Sequence, residues 1–150
     1  MSPPYRFRTV WRLDHPALTV FDALADVEHY PQWWPQVRRG RRIDATSGEL
    51  TCRSLLPYDL TFVLHRAVED RNALILRARM AGDLSGTSQW TVRAVNGGCE
   101  AVFDEDVTVG RGALRVAGRL ARPALVLNHD LMMRAGERGL RRFLRTQQGR

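Results

Sequence analysis

Between residues 37 and 109 the apolar side chains return at every second position, interrupted only by short polar runs. A period of two marks strands with one covered face. It predicts strands over 37–45, 49–56, 59–69, 73–81, 87–95 and 99–109, separated by SG (47–48), PYD (57–59), EDRN (69–72), GDLSG (82–86) and NGG (96–98). Connections this short require antiparallel neighbours. No repeat, linker or low-complexity tract divides the chain, so its 150 residues are expected to form one domain able to bury a core without metal or disulfide help.

Both flanks of this block add elements. YRFRTVWRL (5–13) alternates, with Tyr5, Phe7, Thr9, Trp11 and Leu13 on one side and mostly arginine on the other, and opens the sheet. HPALTVFDALAD follows Asp14, and its Pro16, Leu18, Phe21, Leu24 and Ala25 predict a short amphipathic helix. A second short turn of helix over 26–30 is expected to stop before Pro31. After Gly112 the period becomes helical to about residue 145, with Pro123 as a kink or restart. The sum is an α+β arrangement: a curved seven-stranded antiparallel sheet wrapped around a long C-terminal helix, with two short helices between strands 1 and 2.

Charge and composition narrow the function classes. All 23 basic residues are arginine, which fits coding bias better than selection for a polyanion, yet the net charge of +7 leaves nucleic acid or an anionic membrane open as partners. VRRGRR (37–42) reads as protection of a strand edge, because neither aromatic interleaving nor a recognition helix accompanies it. No specific nucleic-acid partner is therefore expected. Two cysteines, Cys52 and Cys99, no leader-like start and no apolar run of membrane length point to a reduced, cytoplasmic setting. His15, His29 and His65 lack metal spacing. Nucleophile-elbow, phosphate-loop and dinucleotide motifs are missing, so neither metal nor cofactor is expected.

Two polar residues stand out at inward positions. At about 100° per residue, Leu125, His129, Met132, Met133, Gly136, Gly139, Leu140 and Phe143 share one arc of the last helix, while Asp130, Arg134, Glu137, Arg138, Arg141 and Arg145 fall opposite. His129 thus faces the sheet as a ligand anchor, a general acid or base, or a satisfied core residue. Asn128, at the arc's edge, reads as structural. The glycines leave room beside the helix and the methionines offer adaptable apolar surface. In CEAVFDEDVTV, an inward Phe103 sends Ala101, Glu105 and Val107 inward as well. Glu105 can then pair with His129 or an arginine as an acid/base dyad, unless a bulge turns it to water.

The order β-αα-β6-α, with WWPQV after the helix pair, PYDL at a strand start, GDLSGTSQW between strands and NHDLMMRAGERGL in the last helix, resembles the polyketide cyclase/dehydrase-like branch of the START/Bet v 1-like (SRPBCC) superfamily. The resemblance covers almost the whole chain. It implies a helix-grip fold whose sheet holds the final helix over an apolar cavity, with the short helices closing one end. Adjacent Trp33 and Trp34 are then expected to point opposite ways, one into the core beneath the helices and one over the cavity end. In similar sequences the position of Glu105 is often aromatic.

Three functions compete. The leading expectation is a binding protein for a hydrophobic or aromatic small molecule, polyketide- or lipid-like, held by Trp11, Trp33, Trp34, Phe62, Trp90, Phe103, Met132 and Met133 and oriented by Glu105 and His129. Second is a polyketide cyclase or dehydratase in which His129 or Glu105 removes a proton beside a carbonyl. Third is an interaction module docking through its basic surface, with Leu120, Leu127 and Leu131 on the otherwise charged side of the last helix and a homodimer among its forms.

Overall fold

A computed structural model of the chain describes residues 4–53, 59–110 and 122–148. Its elements run β1 (Tyr5–Leu13), α1 (Ala17–Ala25), a 3-10 helix (Val27–Gln32), β2 (Val37–Arg42), β3 (Ser47–Cys52), β4 (Leu60–Asp70), β5 (Ile75–Gly82), β6 (Leu84–Val95), β7 (Gly98–Val109) and α2 (Arg122–Gln148). The seven strands form one antiparallel sheet in the order β1-β7-β6-β5-β4-β3-β2, so chain neighbours pair except that β1 closes on β7. This is the helix-grip fold. None of the described helices is long and apolar enough to cross a membrane.

The concave face is set by register. Trp11 lies opposite Ala101, Thr9 opposite Phe103, Phe7 opposite Glu105 and Tyr5 opposite Val107. One row crosses the sheet as Phe7, Glu105, Ser88, Ala78 and Arg66. The alternation read from YRFRTVWRL and CEAVFDEDVTV therefore holds, with Trp11, Ala101, Phe103 and Val107 buried. The outward residues of β1 and β7 meet as ion pairs, Arg6 with Asp106 at 3.3 Å and Arg8 with Asp104 at 3.4 Å. On α1, Val20, Phe21 and Leu24 are buried at helical spacing. On α2, Met133, Gly136, Leu140 and Leu144 form the buried stripe.

Several boundaries differ from the sequence reading. β2 ends at Arg42 and β3 begins at Ser47, because the backbone N–H groups of Ile43 and Asp44 both donate to the Ser47 carbonyl and Asp44 caps Thr46. GDLSG does not form a five-residue turn. Asp83 alone separates the strands; its carboxylate accepts the Thr61 N–H at 2.8 Å and its carbonyl accepts the Gly110 N–H at 2.7 Å. Gly86 takes φ +147° inside β6, where a Cβ would collide with the Asp106 backbone. Pro31 lies within the 3-10 helix rather than beyond it. Pro123 stands in the first turn of α2, where its missing N–H leaves no bond unmade. Residues 112–121 of the expected helix, Leu120 among them, and the PY of PYDL lie outside the described residues.

Candidate functional site

Between the concave sheet and α2 lies a cavity of about 320 Å³. Trp34, Phe62, Trp90, Phe103, Met132 and Met133 supply its apolar wall. Its lining extends from Tyr5, Phe7 and Leu125 to Asp26 and Glu28 at the 3-10 helix and Arg41, Arg42 and Thr46 at the β2–β3 hairpin. The small side chains of Ala78 and Ser88 contribute to the space, since a larger residue at either inward position would project into it.

Glu105 and His129 meet on this wall. His129 Nε2 lies 3.1 Å from Glu105 Oε1, with the side chains 16% and 9% exposed. Sequence position explains each half of the pair: β7 register turns Glu105 inward, and the helical arc turns His129 down onto it. His129 keeps some exposure at the centre of a buried arc because it faces open space rather than packed side chains. Its ring stacks on Phe7 with centroids 3.7 Å apart and planes 10° apart. Phe7 is also the cross-strand partner of Glu105, so a single β1–β7 register position fixes the imidazole by face and by edge. His129 Nδ1 is buried without a hydrogen-bond partner among the described residues. Only the Nε2 edge, beside the carboxylate, is left for hydrogen-bond chemistry. The arrangement can hold one proton between two titratable groups and present it to an oxygen in the cavity.

The tryptophans correct the sequence reading. Trp33 and Trp34 do not point opposite ways: both are buried, and their rings stack 5.4 Å apart at 19°. Trp33 sits at the end of the 3-10 helix with φ −133° and ψ −13°, so the strict alternation of a strand does not apply. Both rings join Trp11 and Tyr30 in one aromatic cluster, and Trp34 Nε1–H donates to the Met132 carbonyl at 2.9 Å. Of the two, Trp34 lines the cavity; Trp33 and Trp11 are packed away from it. The glycines of α2 do not leave cavity space either. A Cβ on Gly136 would come within 2.6 Å of the Trp34 ring, and one on Gly139 would overlap the Trp33 carbonyl. They admit the tryptophan cluster to the helix backbone.

Some lining residues escaped the sequence reading. Asn128 is buried on the cavity wall. Ser88 is legible, being two residues from inward Trp90. So is Arg66, four residues from inward Phe62 and ahead of the bulge between Arg66 and Val68; its guanidinium donates to the Ala25 carbonyl at 2.6 Å and pairs with Glu69. Cys52 lines the cavity too, its thiol pushed up to about 12 by burial, with the negative charge of Glu105 adding to the shift. Burial likewise raises the Tyr30 phenol, which donates to the Leu24 carbonyl at 2.6 Å. Neither is an ionised nucleophile near neutral pH. Of the VRRGRR arginines, Arg41 and Arg42 line the cavity, while β2 does form a sheet edge. Among the described residues no three metal-ligating side chains converge.

The profile of a family described as polyketide cyclase / dehydrase and lipid transport matches residues 5–146. The chain belongs to that family. Its fold recurs in the Zhui aromatase/cyclase from Streptomyces sp. R1128, at TM-score 0.75 and 15% identity over 91% of this chain and 90% of that one. A START superfamily protein from Mycobacterium smegmatis matches at TM-score 0.72 and 13% identity, covering 97% and 99%. The Thermus thermophilus protein TTHA0849 matches at 0.65 and 17%, covering 91% and 95%. Likeness at these identities establishes a shared polyketide cyclase/START-like fold. A sequence search against curated proteins gives no match.

Proposed function

We propose that this family member binds an apolar, oxygen-bearing small molecule, polyketide- or lipid-like, in the cavity between the sheet and α2. The observation that carries the reading is the Glu105–His129 pair, set into a wall of Trp34, Phe62, Trp90, Phe103 and methionine. An ionisable pair is costly to keep in apolar surroundings. A carbonyl or hydroxyl oxygen on an otherwise apolar guest gives it a hydrogen-bonding role, fixing which end of the guest enters first. Native mass spectrometry of freshly purified protein, followed by titration with an apolar dye, tests the proposal. Saturable dye binding that Met132→Trp weakens at least tenfold in a folded protein is expected. Unchanged affinity in that variant would place the guest elsewhere.

A second reading is a cyclase, favoured by the meeting of two titratable groups at one point and by the name of the Streptomyces neighbour. Glu105 or His129 would take a proton from carbon beside a carbonyl. The resulting enolate would form a carbon–carbon bond to a second carbonyl of the folded chain, and the proton would return to the new alkoxide.

A further inference from the structure

The exposed arginines of this molecule are ion-paired in part, and Arg38, Arg39 and Arg79 on the sheet reach no carboxylate among the described residues. On the sheet, Arg6, Arg8, Arg41 and Arg93 reach Asp106, Asp104, Glu49 and Glu100. On α2, Arg134, Arg138, Arg142 and Arg145 are all exposed, and among the described residues none of them reaches a carboxylate, whereas Arg141 pairs with Glu137. Steps of three or four residues put these four on one line, running about 17 Å along the axis. Leu127, 56% exposed, and Leu131 continue the same line toward the start of the helix. Like charges at this spacing weaken a helix. The helix dipole accounts for Arg145 in the last turn, but its effect has faded by Arg138 and Arg134. The line is thus not explained by the stability of the helix that carries it.

We propose that this line docks the protein on an anionic lipid bilayer. A bilayer offers both things the line presents a need for: a flat negative field for the arginines and an apolar layer just beneath it for Leu127 and Leu131. Duplex nucleic acid supplies the charge without the apolar layer. The docking face is the outer side of α2 and does not depend on what occupies the cavity behind it.

Sedimentation with vesicles tests this. The protein is expected to bind phosphatidylcholine vesicles containing one third phosphatidylglycerol, to ignore phosphatidylcholine alone, and to release as salt rises. Removing Arg134, Arg138 and Arg142 together as Gln should weaken binding about 100-fold, at roughly 5-fold for each arginine. Removing the equally exposed Arg38, Arg39 and Arg79 as Gln takes away the same charge and should stay within about 3-fold of the parent. Leu127→Ser should weaken binding without changing its salt dependence. Equal losses in the two triple variants would reduce the effect to net charge and overturn the proposal. So would equal affinity for the two kinds of vesicle, or binding of duplex DNA with none to vesicles.

Discussion

His129 is held on three sides: Phe7 on its face, Glu105 at its Nε2 edge and protein around its Nδ1. This makes the two members of the pair separable by mutation. His129→Leu keeps an apolar side chain against Phe7 but leaves the Glu105 carboxylate without its partner, whereas Glu105→Gln keeps a hydrogen-bonding group beside Nε2. Leu should therefore lower stability by about 3–5 kcal/mol, the usual result of stranding one member of a buried pair. Gln should cost roughly 1 kcal/mol. For a bound oxygen-bearing guest, each variant should weaken affinity by the ~0.5–1.5 kcal/mol of one neutral hydrogen bond. Under the cyclase reading, turnover of a true substrate should instead fall by about 10²–10⁴ with affinity little changed. Denaturant titration beside ligand titration gives both numbers; equal stability losses in the two variants would mean that the pair does not share its charge.

Among the elements, α2 and the segment after the 3-10 helix depend most on each other. The tryptophan pair reaches the helix backbone through two glycines, and the Trp34 indole N–H fastens the contact at the Met132 carbonyl. Gly139→Ala should cost about 2–3 kcal/mol, since the new methyl must displace the Trp33 main chain rather than a flexible side-chain end. Gly48→Ala on β3 is the matched control: its nearest neighbour would lie 3.5 Å away, an ordinary contact. Urea midpoints of the two variants decide the point. A Gly139→Ala protein as stable as its parent would show that the cluster can be pushed off the helix cheaply.

For the whole molecule, the buried thiols make stability depend on pH. Burial pushes Cys52 up to about 12 and Cys99 up to about 11. An unfolded thiol ionises near about 8.5. The folded state therefore holds protons that the unfolded chain releases above that pH. The thiol contribution is complete below about 8.5 and is lost progressively as pH rises toward the folded values. Urea midpoints should fall between about pH 8 and 10, before the Tyr30 phenol adds its own loss in the same direction. Cys52→Ala combined with Cys99→Ala should flatten that slope. An equally steep fall in the double variant would assign it to other groups.

The amino-acid sequence determined which side chains face inward along β1 and β7, because a period of two admits only one assignment once Trp11 and Phe103 are placed in the core. It determined the long helix by the same logic of period. Those two facts turned Glu105 and His129 toward the same space and left open whether Glu105 meets His129, an arginine or water; the structure pairs it with His129. Tertiary structure decided what periodicity cannot express. Trp33 and Trp34 lie where the backbone is neither helix nor strand, so their shared direction follows from packing against Gly136 and Gly139. Past Arg66 a bulge resets the count in β4, so the period that places Phe62, Leu64 and Arg66 no longer sorts the residues from Val68 onward. The cavity itself is the space left between two curved surfaces, and its volume depends on how closely they approach, a distance set by every contact at once and by no local run of residues.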